Sequence, residues 1–300
     1  MPSAAVTIRA FAKINLDLRI LGELPDGYHE VRTVLQSVRL HDTLTFTETK
    51  GAFAIECDTP GVPTDARNLV RKAAALLHRV VRGGAGQPAG VHVELVKRIP
   101  AEAGLGGGSS DAAATLLALS RLWALDLDLP SLLHLGASLG ADVPFFLAGG
   151  TGLGTGRGDD ISPLVEPPRT AVVLVKPPFG VATPDAYRWF DADRAARAPR
   201  TRRLPQGWPA WAAAVRNDLE GPVARRHPPV RRIVQTLRAL GSDYAAMSGS
   251  GSAVFGLFID AAAARAAHES LTRERWPAWL TQTASRATIG RERRRVLAGG

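Results

Sequence analysis

The sequence predicts an α+β protein built from two domains. Strand-like and helix-like segments alternate along the chain, and few strands have the continuous apolar runs of strands buried on both faces, which disfavours a doubly wound parallel sheet. The 300 residues, 45% of them apolar, suit two compact domains more naturally than one. The Pro167-Pro168 pair marks the expected boundary, which predicts domains over 1–165 and 166–290.

The elements of the first half follow from apolar periodicity. Even spacing of apolar residues predicts a first strand over 6–20, which turn residues over 22–28 interrupt. The stretch 149–158 has the most flexible composition of the chain. Similar patterns predict strands over 31–40, 42–49, 52–57 and 91–97, and helices over 68–81, 112–123 and 130–140.

The second half shows the same mixture. Residues 291–300 are basic and are expected to form a loosely held tail. Periodicity predicts strands over 171–175, 253–259 and 279–284, and helices over 185–190, 208–215, 229–240 and 261–271.

Composition excludes several protein classes. No apolar run approaches the ~20 residues of a membrane span, and the first 18 residues lack the uninterrupted apolar stretch of a signal peptide. Cys57 is the single cysteine, which excludes an internal disulfide and cysteine-based zinc sites. The seven histidines show no paired ligand spacing, which makes a zinc enzyme a distant alternative. We expect a cytoplasmic protein with no membrane partner.

The net charge of +9 is unevenly distributed. Residues 1–150 contain 14 basic and 15 acidic residues, whereas 151–300 contain 23 and 13, with clusters in 188–203, 225–232 and 291–295. A basic half can bind nucleic acid or attract an anionic ligand. A solvated arginine-rich surface is the favoured interpretation, because no cluster forms a recognisable nucleic-acid motif. No nucleic-acid partner is therefore expected.

The strongest local signal is a glycine-rich loop between a strand and a helix. Glycines let a backbone approach a ligand closely, and the free amides at a helix start bind anions. Serine hydroxyls can contact phosphate oxygens, and Ser109 is a candidate magnesium ligand. The predicted phosphate-binding residues are Pro100, Ala101, Glu102, Ala103, Gly104, Leu105, Gly106, Gly107, Gly108, Ser109 and Ser110.

Three common nucleotide motifs do not describe this loop. The chain contains no Gly-Lys pair, so a P-loop is excluded. Ser109 stands where a dinucleotide fingerprint requires glycine. The catalytic-loop and DFG signatures of protein kinases are also absent.

The pattern Pro-x-x-x-Gly-Leu-Gly-Gly-Gly-Ser-Ser-Asp-Ala resembles the second motif of the GHMP kinase superfamily. The segment 12–16 resembles its first motif. The resemblance implies ATP and Mg²⁺, and a two-domain GHMP kinase fold with a ribosomal-S5-like N-terminal domain and a ferredoxin-like C-terminal domain. The third motif, a glycine turn that closes over the phosphates, is matched by Ser248, Gly249, Ser250 and Gly251.

The first motif and the residues after it indicate a branch of the superfamily. The Gly-Glu-His signature of galactokinase and mevalonate kinase is absent, and the segments 21–30, 33–38 and 140–146 instead resemble the kinases that act on a cytidine-diphosphate-linked methylerythritol. The resemblance covers about 6–259. It implies phosphorylation of the substrate's 2-hydroxyl group in the non-mevalonate pathway to isoprenoid precursors.

The resemblance also implies roles for single residues. Lys13 and Asp142 match the catalytic positions: Asp142 would take or orient the proton of the hydroxyl group, and Lys13 would stabilise developing charge. Without the resemblance, an edge-strand lysine and a turn aspartate would be the better interpretations. The implied substrate-binding residues are Asn15 near the reacting end, Tyr28, His29 and Tyr187 around the cytosine, and Thr183.

The sequence departs from the family pattern in two places. Glu102 and Ala103 stand where some members have glycine, and Asp159 stands where glutamate is frequent.

Two alternative functions stay open. A superfamily kinase for homoserine, mevalonate or a sugar is one alternative, and a nucleotide- or nucleic-acid-binding protein without kinase activity is another. The sequence gives neither the oligomeric state nor a role for the segment 217–220.

Overall fold

The computed structural model describes residues 5–82, 89–194 and 215–298. Within those ranges the chain forms two sheets with helices packed against them. The strands are β1 (Ala5–Glu23), β2 (His29–Ala52), β3 (Ala54–Cys57), β4 (Ala89–Val96), β5 (Thr151–Thr155), β6 (Asp160–Pro163), β7 (Ala171–Val175), β8 (Tyr244–Met247), β9 (Val254–Phe258) and β10 (Ala278–Gln282). The helices are α1 (Leu69–Arg82), α2 (Gly107–Leu122), α3 (Leu129–Leu139), α4 (Val143–Ala148), α5 (Thr183–Arg194), α6 (Glu220–Arg226), α7 (Pro229–Ala239), α8 (Ala261–Arg273) and α9 (Arg286–Ala298).

The first sheet has the order β3-β4-β2-β5-β6, with β1 paired to β2. Its pairs are antiparallel except β3 with β4. A tight turn joins the long β1–β2 hairpin: Gly27 has φ 82°, and its amide donates to the carbonyl of Leu24 at 2.9 Å. Helices α1 to α4 bury their apolar faces against this sheet around Phe46 and Phe145. Loss of either ring would cost about 3–5 kcal/mol.

The second sheet has the order β10-β7-β9-β8 and is antiparallel throughout. Helices α5 to α8 pack on it through a second core. That core also contains Leu18, Ile20 and Val31, which belong to the first sheet's long hairpin. The hairpin therefore supplies apolar side chains to both layers.

A third core lies between the two sheets. Ile14, Leu16 and Val34 of the hairpin pack with side chains such as Leu174 and Phe255 from the second sheet. Two isolated bridges, Leu18 with Asn217 and Val38 with Thr283, add backbone contacts across the same junction. The predicted α+β class is confirmed, and the sheets share a continuous apolar interface. The domain boundary near residue 165, between β6 and β7, stays a prediction.

Most predicted elements are confirmed to within a few residues, but two need correction. The strands expected over 31–40 and 42–49 are one continuous strand, β2. Its pairing with β1 contains a bulge between Phe11 and Ala12, which accommodates the residues that interrupt the apolar alternation. The glycine-rich stretch 149–158 contains β5, whose backbone pairs with β2 from Gln36 to Thr33. Backbone pairing needs no side chain, so the composition concealed this strand.

The expected tail at 291–300 is wrong for its described part. Residues up to Ala298 belong to α9, which buries Ile289 and Val296. Glu292 accepts bonds from Arg9 and Arg295, both at 2.7 Å. Burial alone would raise the pKa of Glu292, but these bonds outweigh it and hold the pKa at about 2. Counting charges concealed an amphipathic helix.

The helix expected over 208–215 lies almost entirely outside the described residues. Among the helices that the structure describes, none is long and apolar enough to cross a membrane.

Candidate active site

A glycine-rich loop leads from β4 into α2. Gly104 and Gly106 both have φ 71°, a left-handed conformation that glycine adopts without a steric penalty. Leu105 between them is buried in the inter-sheet core, and its carbonyl accepts a bond from the amide of Lys13 at 3.0 Å. The first-turn amides of α2, which begins at Gly107, have no partner within the helix. They suit an anion at the positive end of the helix dipole.

The first half of this loop contains the departures from glycine. Pro100 is half-buried and Ala101 is exposed. Glu102 has φ 49°, which is uncommon for a residue with a side chain, and Ala103 is buried between the sheets. The backbone therefore follows a glycine-like path at Glu102.

The two serines of the loop differ. Ser110 is buried, and its hydroxyl donates to the carbonyl of Phe11 at 2.7 Å. It therefore anchors α2 to β1, and its contact with phosphate stays a prediction. Ser109 is half-buried, and its hydroxyl has no partner within the described ranges. This group is available to a ligand.

A second glycine turn, between β8 and β9, lies against the loop. Gly249 and Gly251 take left-handed conformations. Ser248 is fully buried; its hydroxyl donates to the carbonyl of Gly104 at 2.9 Å and accepts from the amide of Asn15 at 3.3 Å. The amides of Gly249 and Ser250 donate to no acceptor in the described part of the chain. Two turns with free amides thus meet directly.

Lys13 of β1 lies between these turns. A Cβ added to Gly106 would be 3.2 Å from Cγ of Lys13, and one added to Gly249 would be 3.2 Å from its Nζ. Glycines at both positions therefore leave room for the lysine chain. Lys13 is only 4% exposed, and a buried ammonium requires partners.

The partners of Lys13 are an amide and a carboxylate. Its Nζ donates to Oδ1 of Asn15 at 2.6 Å, and Nδ2 of Asn15 donates to the Thr33 hydroxyl at 2.8 Å. Oδ2 of Asp142, immediately before α4, is 3.5 Å from the same Nζ. The Asp142 side chain is 37% exposed. A fixed, buried cation therefore faces an accessible carboxylate.

Aromatic side chains lie near this pair. The rings of His29 and Tyr187 are 4.7 Å apart between centroids, and Nε2 of His29 is 2.9 Å from Oδ1 of Asp191. Burial and the charge of Asp142 raise the pKa of Tyr187 to about 12, which links this aromatic cluster to the Lys13–Asp142 pair. Thr183, at the start of the same helix, hydrogen-bonds Ser250 at 3.1 Å.

Tyr28 stands apart as an exposed ring. It is 60% exposed, and the guanidinium of Arg157 lies 4.4 Å from its ring centroid. Arg157 also pairs with Asp26. One face of Tyr28 is thus covered by a cation.

A buried ion triad supports the loop from beneath. Nζ of Lys97 is 2.5 Å from Asp42 and 2.7 Å from Asp111. Asp42 also accepts bonds from the amides of Arg98 and Ile99, whereas Oδ1 of Asp111 is buried without a partner. Two carboxylates share one ammonium, and burial raises the pKa of Asp111 to about 7.

Family models match both parts of the chain. The model of the GHMP kinases N terminal domain matches residues 68–150, and that of the GHMP kinases C terminal matches residues 204–278. A 4-diphosphocytidyl-2-C-methyl-D-erythritol kinase of Synechococcus sp. (strain JA-3-3Ab) is 43% identical over 296 residues, covering 93% of this chain and 94% of that protein. The chain belongs to the GHMP kinases. ATP is therefore a substrate of this kinase, as the sequence predicted.

Solved structures agree with this GHMP kinase assignment. A crystal structure of 4-(cytidine 5'-diphospho)-2C-methyl-D-erythritol kinase is 37% identical and superposes with a TM-score of 0.77, covering 93% of this chain and 99% of that one. Homoserine kinase from Cytophaga hutchinsonii superposes with a TM-score of 0.62, covering 94% and 95% of the two chains. At 18% identity, the second likeness shows the fold alone.

The kinase fold brings most of the predicted site residues together, but Tyr28 lies apart from the others. Lys13, Asn15 and Asp142 meet between the two glycine turns. His29 and Tyr187 contact each other, whereas Tyr28 has Arg157 on its ring. The roles of these residues stay predictions.

Sequence reasoning missed Asp191 and the ion triad. Asp191 follows Tyr187 by four residues on α5, so helical spacing could have placed both on one face. The triad joins Asp42, Lys97 and Asp111 from three elements, and no local pattern connects them.

Proposed function

We propose that this chain transfers the γ-phosphate of ATP to the 2-hydroxyl group of 4-diphosphocytidyl-2-C-methyl-D-erythritol. The observation that carries the proposal is the buried Lys13 ammonium, 3.5 Å from an accessible Asp142 carboxylate and flanked by two glycine turns. The names of the relatives and of the 37% identical crystal structure support the substrate. The reaction belongs to the non-mevalonate route to isoprenoid precursors.

In this mechanism the protein mainly positions the reacting groups. Phosphoryl transfer needs an in-line hydroxyl, an acceptor or orienter for its proton, and positive charge near the transferred group. Asp142 accepts or orients the proton of the 2-hydroxyl. Lys13 stabilises the charge that develops on the phosphoryl oxygens. Asn15 holds Nζ of Lys13 in place through its 2.6 Å hydrogen bond.

The two glycine turns bind the phosphates. The first-turn amides of α2 and the free amides of Gly249 and Ser250 donate to phosphate oxygens. The free hydroxyl of Ser109 would be one ligand of Mg²⁺. Clusters of three or more metal-binding side chains are absent from the described residues, which suits an ion that takes most ligands from substrate phosphates and water. Bound Mg²⁺ would neutralise charge on the β- and γ-phosphates.

The cytosine lies against the aromatic cluster. Tyr28 offers the ring face that Arg157 leaves free for stacking. His29, oriented by Asp191, hydrogen-bonds the base, and Tyr187 closes its other side. Homoserine, mevalonate and galactose contain no base to stack, so they use none of these contacts.

The test is ADP release from Mg-ATP with 4-diphosphocytidyl-2-C-methyl-D-erythritol, mevalonate, homoserine, galactose or no acceptor. We expect turnover only with the cytidyl substrate. Asp142→Asn should lower kcat by about 10²–10⁴-fold, the usual contribution of a proton-transfer group, without weakening ATP binding. Turnover with another acceptor would overturn the substrate assignment, and undiminished turnover in the variant would overturn the role of Asp142.

A matched pair of histidine variants tests the base contacts. His29 pairs with Asp191, and the remote His92 pairs with Glu56 on the first sheet. His29→Ala should raise KM for the cytidyl substrate about tenfold, the effect of losing a contact of about 1.4 kcal/mol. His92→Ala should leave both KM values unchanged. Equal KM values in the two variants would remove His29 from the base site.

A further inference from the structure

The segment 217–220 lies beside the second glycine turn. Asn217 forms a parallel bridge with Leu18 of β1. The amide of Leu18 donates to the carbonyl of Arg216 at 2.8 Å, and its carbonyl accepts from the amide of Asp218 at 2.9 Å. Oδ2 of Asp218 accepts a bond from the amide of Ile20 at 3.0 Å. The segment is therefore fastened to the strand that carries Lys13.

Asn217 holds the turn by its carbonyl groups. Its side chain is buried, and Nδ2 donates to the carbonyls of Met247 at 2.9 Å and Gly249 at 2.7 Å. Its Oδ1 accepts from the amide of Leu219 at 2.9 Å, so the amide orientation satisfies all three contacts. Oε2 of Glu220 accepts a further bond from the amide of Met247 at 2.8 Å.

Fixing these carbonyls fixes the free amides. A peptide group is planar and almost always trans, so its C=O and N–H point in opposite directions. The carbonyl of Gly249 shares a peptide group with the amide of Ser250, which is free. The carbonyl of Ser248 shares one with the free amide of Gly249, and it accepts a bond from the amide of Gly251 at 2.8 Å. Both free amides therefore point away from the groups that hold their carbonyls.

We propose that Asn217 is a positioning residue for nucleotide binding, and that Glu220 supports it. By holding the carbonyl of Gly249, Asn217 orients the backbone amide of Ser250 so that it donates to a phosphate oxygen of ATP. That oxygen lies on the side of the turn opposite the side chain of Asn217. The inference rests on the proposed assignment of this turn to the ATP phosphates. It assigns a function to the segment 217–220, for which the sequence alone indicated no role.

The test is the affinity for a non-hydrolysable ATP analogue, measured by calorimetry without an acceptor. Asn217→Ala removes all three side-chain hydrogen bonds. Two of them hold carbonyls of the turn at about 1 kcal/mol each, so the variant should weaken analogue binding about tenfold or more. KM for ATP should rise in parallel, whereas KM for the acceptor should stay within about twofold, since the contact to the acceptor is untouched.

Two further comparisons separate positioning from general stability. Glu220→Ala should weaken analogue binding, and Glu220→Gln should restore it, because an amide oxygen still accepts from Met247. The control is Asp243→Ala, which removes the 2.7 Å bond to the amide of Ile259 at the opposite end of the same hairpin. It should lower the melting temperature without changing analogue affinity.

The outcomes are distinct. If Asn217→Ala lowers the melting temperature but keeps wild-type analogue affinity, the proposal is overturned. If that variant does not fold, the Glu220→Ala and Glu220→Gln pair decides, and equal affinities in the two would also overturn it. Analogue binding in a wild-type protein that phosphorylates no acceptor would overturn the proposed substrate alone.

Discussion

The two glycine turns offer the same group to a ligand, a free backbone amide, but they are supported differently. The loop before α2 rests on charge: Lys97, Asp42 and Asp111 form a buried triad under the first helical turn. The Ser248–Gly251 turn rests on neutral hydrogen bonds from Asn217 and one bond to Glu220. A buried charge network loses much when one member is removed, whereas a neutral hydrogen bond contributes about 1 kcal/mol. Substitutions that remove support from the first turn should therefore mainly lower the free energy of unfolding. Substitutions that remove support from the second turn should mainly weaken nucleotide binding.

Removing the shared cation should give the largest effect. Lys97→Met leaves two buried carboxylates without an ammonium, and loss of one partner of a buried pair typically costs about 3–5 kcal/mol. Chemical denaturation at pH 7.5 should show a loss of this size in the free energy of unfolding. Lys72→Met, an exposed lysine on α1, should change it little. Similar values for the two variants would abolish the contrast between the turns.

The contact between the turns should give the next effect. A Cβ on Gly104 would clash with the carbonyl oxygen of Ser248, and Gly104 is in a left-handed conformation. Gly104→Ala should cost about 1–3 kcal/mol of strain and weaken ATP-analogue binding at both turns. Gly108→Ala is the control for stability, since its Cβ would lie 3.6 Å from Leu69. If Gly104→Ala is as stable as wild type, the turns are not in direct contact.

A pH titration should give the smallest effect on stability and report the protonation of Asp111. Asp111 has a folded pKa of about 7, above its ordinary 3.8, so it contributes stability at acid pH that is lost as pH rises towards 7. Relative to Asp111→Asn, wild type should lose about 1–2 kcal/mol between pH 6 and pH 8. Thermal unfolding across this range measures it. A pH-independent difference would mean that Asp111 stays ionised.

What the sequence could predict follows from how local each feature is. The loop before α2 is a continuous motif, and its strand, glycines and helix were readable in order. The pairing of Lys13 with Asp142 was reached only through family resemblance, because 129 positions separate them. The α9 helix was missed because arginines dominate its composition, although Ile289 and Val296 recur at helical spacing.

Side-chain contacts between distant elements were beyond prediction for a different reason. The bonds of Asn217 to Met247 and Gly249 depend on the packing of one sheet against the other. Neither periodicity nor charge encodes that packing. The same holds for the bond from the Ser110 hydroxyl to the carbonyl of Phe11, which anchors α2 to β1.

The course of β1 limits how such an enzyme can be divided or recombined. Along this one strand, Ile8 packs in the first core, Ile14 between the sheets and Leu18 in the second core. A gene fragment that begins after residue 165 would encode a sheet without part of its own interior. Shuffling the C-terminal half between related enzymes would therefore require exchanging the opening strand with it.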